Sequence, residues 1–286
     1  MRDLGYTPIS TSKKHKSFLE LEPEFGEYKS SKFVIVPCPH EVSTSYGKGT
    51  KNGPQAILDA SYYVENFDEE IKAETYKTGI HTLDPVALPK LRATTAQIIK
   101  DKKIPIILGG EHSLSIEGVK GALDNNPRVS VLQFDAHADL RDTYEGSENS
   151  HACAMKRILE VCPAVQVGIR NISLEEYKFA EDTGQINKIH FASNIPPSEQ
   201  IIAGLSEYVY ITFDVDAFDA AIMPSTGTPE PGGMSWYEVL EILREVCCQK
   251  KIIAADFVEL SPIEGLTAPN FTVAKLIYKL MGYLTL

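Results

Sequence analysis

The sequence predicts a three-layer α/β/α fold around a mainly parallel sheet. Three observations predict it: short apolar runs that do not alternate with polar residues, helix-period segments between them, and no linker or internal repeat to divide the chain. Strands covered by helices on both faces read as continuous apolar runs, whereas one-sided sheets alternate.

In chain order, Phe33 to Val36 is the first such run, and Gly53 to Glu65 the first helical segment. Leu88 to Lys100 carries a helical pattern ahead of the run Ile104 to Leu108, and Ser113 to Leu123 carries another behind it. The runs Val129 to Phe134, Ala164 to Val167 and Tyr208 to Phe213 follow. Ser235 and Glu238 form a capping-box pattern before Val239, Leu240, Ile242, Leu243 and Val246, which predicts a helix from Ser235 to Gln249. The run Ile252 to Phe257 and a helical segment from Thr267 to Leu284 close the chain. Alternation of this kind gives a sheet between two helical layers, and ligands of such sheets bind outside the carboxyl ends of the strands. One domain over residues 1–286 is expected.

With 286 residues, 43% of them hydrophobic and 23% charged, the chain can bury a large core. The amino end carries Lys13, Lys14, His15 and Lys16 with no apolar stretch behind them, and no apolar run is long enough to span a bilayer. A cytoplasmic protein is the expectation, with no membrane partner. Cys38, Cys153, Cys162, Cys247 and Cys248 are odd in number and lack CxxC spacing, which argues against a disulfide framework and a zinc-thiolate site. The net charge of -11 argues against nucleic acid as a partner and favours attraction of a small cation.

Three apolar runs lead directly into metal-ligand chemistry. Val129 to Phe134 is followed by Asp135, Ala136, His137, Ala138 and Asp139, so that three potential ligands alternate along the chain and would share one face if it stayed extended. Tyr208 to Phe213 runs into Asp214, Val215 and Asp216, and Ile104 to Leu108 ends in Gly109, Gly110, Glu111 and His112. Carboxylates this close to buried strands are costly to desolvate without a compensating positive charge. Four Asp charges match two divalent ions, with a water between them to carry the reaction. Oxygen-rich ligands with two imidazoles and no thiolate fit manganese better than structural zinc.

These residues resemble the ureohydrolase family, which includes arginase, agmatinase and guanidinobutyrase. The matching motifs are TSYGKGTKNGPQAI from Thr44, GGEHSLS from Gly109, FDAHADLR from Phe134, SHA from Ser150, FDVDAFD from Phe213, STGTPEPGG from Ser225 and VELSP from Val258, in the family's order and over nearly the whole chain. The resemblance implies an arginase-like fold with about eight parallel strands and two Mn2+ ions per chain. It implies that His112, Asp135, Asp139 and Asp214 hold one ion and His137, Asp135, Asp214 and Asp216 the other, with Asp135 and Asp214 shared. It further implies hydrolysis of a guanidinium, with His151 moving the proton to the leaving amine, Glu259 pairing with the guanidinium over the metals, and Thr228 touching it. Assembly as a homo-oligomer, a trimer or hexamer, is also implied.

The substrate's far end is harder to read. Arg141 stands where arginases carry an amide that recognises an amino acid, which argues against arginine. LRDTYEG and GTPEPGG look like the agmatinase branch, and Asp142, Glu145, Glu148 and Glu230 would favour an ammonium tail. An inward Arg141 would instead favour a carboxylate, as in guanidinobutyrate or formiminoglutamate. Asp219 followed by Ala220, where many relatives have Asp-Pro, suggests a looser turn. The working expectation is agmatine, a small cationic guanidino compound, hydrolysed to urea and putrescine. A catalytically silent binding subunit and a single-zinc deacetylase on a related fold are the competing classes. A phosphate loop at Gly109 and Gly110 is set aside because no GK[ST] follows.

Overall fold

The computed structural model describes residues 16–286, so Lys13, Lys14 and His15 lie outside the described residues. Within them, one sheet collects all the strands: β1 (Phe33–Cys38), β2 (Ile80–Thr82), β3 (Ile104–Gly109), β4 (Val129–Phe134), β5 (Ala164–Ile169), β6 (Ile189–Phe191), β7 (Tyr208–Asp214) and β8 (Lys251–Val258). Every pairing is parallel, in the order β2-β1-β3-β8-β7-β4-β5-β6.

The helices are α1 (Pro23–Gly26), α2 (Gly53–Ser61), α3 (Leu88–Lys100), α4 (Ser115–Leu123), α5 (Ala154–Leu159), α6 (Leu174–Thr183), α7 (Ser198–Ala203), α8 (Trp236–Gln249) and α9 (Ala268–Tyr283). Strand side chains alternate between two separate cores, as the pleat requires. Phe33, Ile35, Ile106, Leu108, Leu132, Phe134, Ile211 and Phe213 pack with residues of α2, α7, α8 and α9. Val34, Val36, Ile107, Val129, Val131 and Tyr210 pack with residues of α3, α4, α5 and α6 on the opposite face. These are the three layers expected from the apolar runs.

Several boundaries differ from expectation for physical reasons. The edge strands β2 and β6 are three residues long and contain His81 and His190, so neither reads as an apolar run. Helix α2 stops at Ser61 rather than Glu65, where the Ser61 hydroxyl donates to the Leu58 carbonyl and accepts from the Leu19 N–H. Helices α1, α5, α6 and α7 were not expected, although α6 carries a complete capping box of Ser173 and Glu176. The Ser235 and Glu238 box opens α8 as expected.

The four central strands β3, β8, β7 and β4 end side by side, with Leu108 beside Phe257, Asp214 beside Val258 and Phe134 beside Phe213. The chain therefore delivers His112, Glu259, Asp214 and Asp135 to one place at the carboxyl edge of the sheet.

Candidate metal centre and active site

Each strand exit turns sharply. His112 lies in a tight turn, His112–Leu114, directly beyond β3. Gly110 ahead of it is required, since a Cβ there would lie 1.8 Å from the His40 carbonyl oxygen. Asp214 caps the turn Val215–Ala217, accepting from the Asp216 N–H at 2.9 Å. Asp139 and Glu259 both adopt left-handed backbone, with φ of 52° and 66°. That conformation is disfavoured for side chains of this kind and recurs at functional sites.

Asp135, His137 and Asp139 do not share one face, as alternation along an extended chain would require. The strand ends at Phe134, and the positive φ at Asp139 turns its carboxylate away from His137 and toward His112. The three residues then divide into two groups that share Asp135. His112, Asp135 and Asp139 bring their ligand atoms together in one, and Asp135, His137 and Asp216 in the other. Nδ1 of His112 lies 3.0 Å from Asp135 Oδ2 and 3.0 Å from Asp139 Oδ2, with Asp214 Oδ2 at 3.6 Å. Nδ1 of His137 lies 2.9 Å from Asp216 Oδ2 and 3.6 Å from Asp135 Oδ1.

The tautomer of His112 follows from its outer partners. Tyr210 and Thr212 both donate to the buried Asp256, at 2.7 Å each, so the Thr212 oxygen is left to accept from His112 Nε2–H at 2.9 Å. In the neutral imidazole Nδ1 then carries the lone pair; it is buried and makes no hydrogen bond of acceptable geometry among the carboxylates around it. A second chain of groups aims Asp135. Gln185 donates to Gln166, Gln166 to Gln133 at 2.6 Å, and Gln133 to Asp135 Oδ2 at 2.6 Å, all of them buried. Gln133 and Gln166 are register partners in β4 and β5, so the strand pairing itself builds this line.

The electrostatics describe a cluster that lacks positive charge. Burial, reinforced by neighbouring carboxylates, holds Asp139, Asp214 and Asp216 above the usual carboxylate range. Burial pushes Glu259 up to about 8. Burial also opposes charge on the histidines, yet the adjacent carboxylates hold His112 well above its usual value and His137 at about 12. Burial would raise Asp135 too, but its two histidines bring it below the ordinary range. An unpaired buried nitrogen among oxygen donors, in a cluster short of positive charge, fits a pair of divalent cations.

The cluster floors a cavity of about 190 Å³ whose walls include Tyr46, Arg141, Tyr144, His151, Asn171, Thr228 and Glu259. Glu259 accepts from the His112 backbone N–H at 2.6 Å, which ties the β8 exit to the β3 exit. Arg141 lines the cavity, but its guanidinium carbon lies 5.2 Å from the centre of the Tyr144 ring and its Nε 3.9 Å from Glu176. Glu230 is not among the residues that line this cavity. It accepts from Asn171 at 2.5 Å and lies 3.9 Å from His137 Nε2. Asp142 and Glu148 turn to Arg157 instead of the cavity, at 2.7 and 3.9 Å, and Glu145 lines a neighbouring hollow. The turn after Asp219 is not loose: its carboxylate accepts from the N–H groups of Ala221, Gly232 and Gly233.

The sequence reading missed several residues because their roles depend on tertiary register. Arg170, at the end of β5, donates to the carbonyls of Asp216, Glu230 and Pro231 and so clamps the Ser225 to Gly233 segment beside the cluster. Tyr46 and Tyr144 reach the cavity from within the TSYGKGTKNGPQAI and LRDTYEG segments, where neither ring was singled out, and the first is held where Gly47 N–H donates to the Gly227 carbonyl at 3.1 Å.

A profile of the arginase family matches residues 31–282. The chain belongs to the arginase family. It is 36% identical to an N(1)-aminopropylagmatine ureohydrolase of Synechocystis sp., over 97% of each chain. It is 34% identical to an agmatinase of Pyrococcus horikoshii, covering 94% of this chain and 97% of the relative. Among solved structures it resembles the agmatine ureohydrolase of Thermoplasma volcanium, with a TM-score of 0.82, 25% identity and 94% of each chain covered. Arginase from Bacillus subtilis, at a TM-score of 0.75 and 22% identity over 88% of this chain and 99% of that one, shares the fold. The chain is thus an arginase-family hydrolase of the agmatinase-like ureohydrolase kind, and the family matches the alternation of strands and helices from which the fold was expected. Among the described residues no helix is long and apolar enough to cross a membrane.

Proposed function

We propose that this chain is a binuclear manganese hydrolase that cleaves the guanidino group of agmatine, releasing urea and putrescine, and that residues 1–286 form one ureohydrolase domain. The observation that carries the proposal is the pair of ligand groups sharing Asp135 beneath a cavity walled by Glu259 and His151. The two ions, when bound, supply the positive charge that lets a water ionise near neutral pH. His112, Asp135, Asp139 and Asp214 would hold one, and His137, Asp135, Asp214 and Asp216 the other.

The remaining chemistry falls to the chain's own side chains. Glu259 offers a carboxylate to the planar guanidinium and holds its carbon over the ligand cluster, and Thr228 adds a hydroxyl contact. The leaving amine needs a proton before the carbon–nitrogen bond breaks, and His151, the remaining imidazole on the cavity wall, is suited to give it. The surroundings of Arg141 support a cationic tail. Arg141 lies over the Tyr144 ring with the Glu176 carboxylate 3.9 Å from its Nε, so part of its charge is already matched, and Tyr46 adds an aromatic side chain to the same wall.

A second reading extends the substrate to agmatine carrying an N(1)-aminopropyl group. Relatives of that name at 36% and 35% identity, from Synechocystis sp. and Thermus thermophilus respectively, favour it. The five unbridged cysteines fit a reducing, cytoplasmic setting. The test is urea release by manganese-loaded protein from agmatine, N(1)-aminopropylagmatine, arginine and guanidinobutyrate, and formamide release from formiminoglutamate. Preference for either polyamine is expected. Preference for a carboxylate-tailed compound would overturn the tail assignment and implicate Arg141, and no turnover of any compound would overturn the activity.

A further inference from the structure

We infer that Ser43, anchored by Glu111, is a positioning residue for His151: it fixes the imidazole in the tautomer with the proton on Nδ1 and leaves Nε2 as the nitrogen that exchanges protons in the cavity. This rests on the assignment of His151 as the proton donor made above.

Glu111 is fully buried and accepts from the N–H groups of Val42 and Ser43, each at 2.6 Å, from the Ser113 hydroxyl at 2.6 Å and from the Ser43 hydroxyl at 2.8 Å. A carboxyl surrounded by four donors is a carboxylate and an acceptor only. The single hydroxyl hydrogen of Ser43 is therefore committed to Glu111. Its oxygen has lone pairs left, and both directions are taken by one residue. The His151 backbone N–H donates to it at 2.9 Å, and His151 Nδ1 faces it at 3.2 Å.

An oxygen with no hydrogen to give can only accept from Nδ1, so a hydrogen bond across that contact requires the proton on Nδ1. Ser150 Oγ also faces Nδ1, at 3.3 Å, and can accept a share of the same bond. A Ser150 hydroxyl donating to Nδ1 would instead set an Nδ1 lone pair against the Ser43 lone pair 3.2 Å away, a repulsion that disfavours the opposite tautomer and that is lost when Ser43 is removed. The Tyr144 ring, edge-on at 5.7 Å between centroids, closes another side of the imidazole.

The tautomer matters for the reaction's balance. Protonated His151 gives the hydrogen on Nε2 to the leaving amine. The Nε2–H bond breaks, a new N–H bond forms on the amine, and a neutral imidazole with its proton on Nδ1 remains. That product is the form Ser43 holds. A neutral imidazole carrying its only proton on Nε2 would have to become an anion to give it up. The neighbouring Glu111 and Ser113 come from the turn that carries His112, so one turn orients both a candidate ligand and the candidate proton donor.

Neutron diffraction from crystals of the full, manganese-loaded chain above neutral pH tests the tautomer directly. A deuteron on His151 Nδ1, with Ser43's deuteron pointing to Glu111, is expected; a deuteron on Nε2 alone, or on Ser43 pointing at Nδ1, would overturn the inference. In kinetics, Ser43→Ala is expected to lower kcat by on the order of tenfold, a part of the usual general-acid contribution, with KM and bound manganese little changed. Ser43→Thr, which keeps the hydroxyl, should recover most of the loss. Full kcat in Ser43→Ala alongside an inactive His151→Asn would remove Ser43 from the mechanism. Full kcat in His151→Asn would instead remove His151 as donor, an outcome separate from the neutron result. If Ser43→Ala fails to fold, the neutron map and Ser43→Thr still decide.

Discussion

Asp139 and Glu259 stand in left-handed backbone and in a buried cluster at once, two departures that a protein selected only for stability would not combine. Their identities were legible in the sequence, because each follows an apolar run and matches a motif. Their conformations were not, since positive φ in an Asp or Glu is imposed by packing and leaves no mark in composition. The same gap explains why alternate spacing grouped Asp139 with His137 when the fold groups it with His112. Asp139→Asn tests what the position costs. Asn tolerates left-handed backbone and carries no charge. The folded state raises the Asp139 pKa through burial, so the ionised carboxylate destabilises the fold at every pH above its ordinary value. Removing that charge should raise the melting temperature of metal-free protein by about 2–4 °C, roughly 1 kcal/mol for a chain of this size, while urea release falls at least about 100-fold. An unchanged or lower melting temperature would show that the cluster is not strained by its charge.

At the scale of elements, the strands were legible wherever both faces are apolar and illegible where they are short and polar, as β2 and β6 show. Helix α9 was legible from its apolar content, yet its buried Lys279 was not singled out. Lys279 Nζ lies 2.9 Å from Asp68 Oδ1 and 3.1 Å from Glu70 Oε2, and both Lys279 and Asp68 are buried. Burial raises Asp68, but Lys279 and the N–H groups of Ile71 and Glu70 outweigh it and hold the carboxyl below its ordinary 3.8. A carboxyl depressed in the fold contributes stability above its unfolded value and loses it as pH falls toward the folded one. Lys279→Met should therefore cost about 3–5 kcal/mol at neutral pH by leaving Asp68 unpaired. The gap in melting temperature between wild type and variant should narrow once pH drops below about 4. A gap of the same size at pH 7 and pH 3 would contradict this account of the contact.

Across the whole molecule, the strand order is the largest feature the sequence did not give up. Nothing in the local pattern says that β8, late in the chain, lies between β3 and β7, because that choice is made by long-range packing of two cores on one sheet. Its consequence is nevertheless the reason the site exists: four central strands end together, and ligands far apart in the chain converge. The Gln133, Gln166 and Gln185 line and the Arg170 clamp depend on the same ordering and were invisible for the same reason. The central claim is that the convergence makes two cation sites joined by Asp135. The most direct test is to add manganese stepwise to metal-free wild type and to Asp135→Asn, measuring bound metal and agmatine-dependent urea release in the same samples. The account predicts that wild-type activity rises until two ions are bound per chain and that the variant holds neither ion and releases no urea; two retained ions in the variant, or full activity of metal-free wild type, would contradict it.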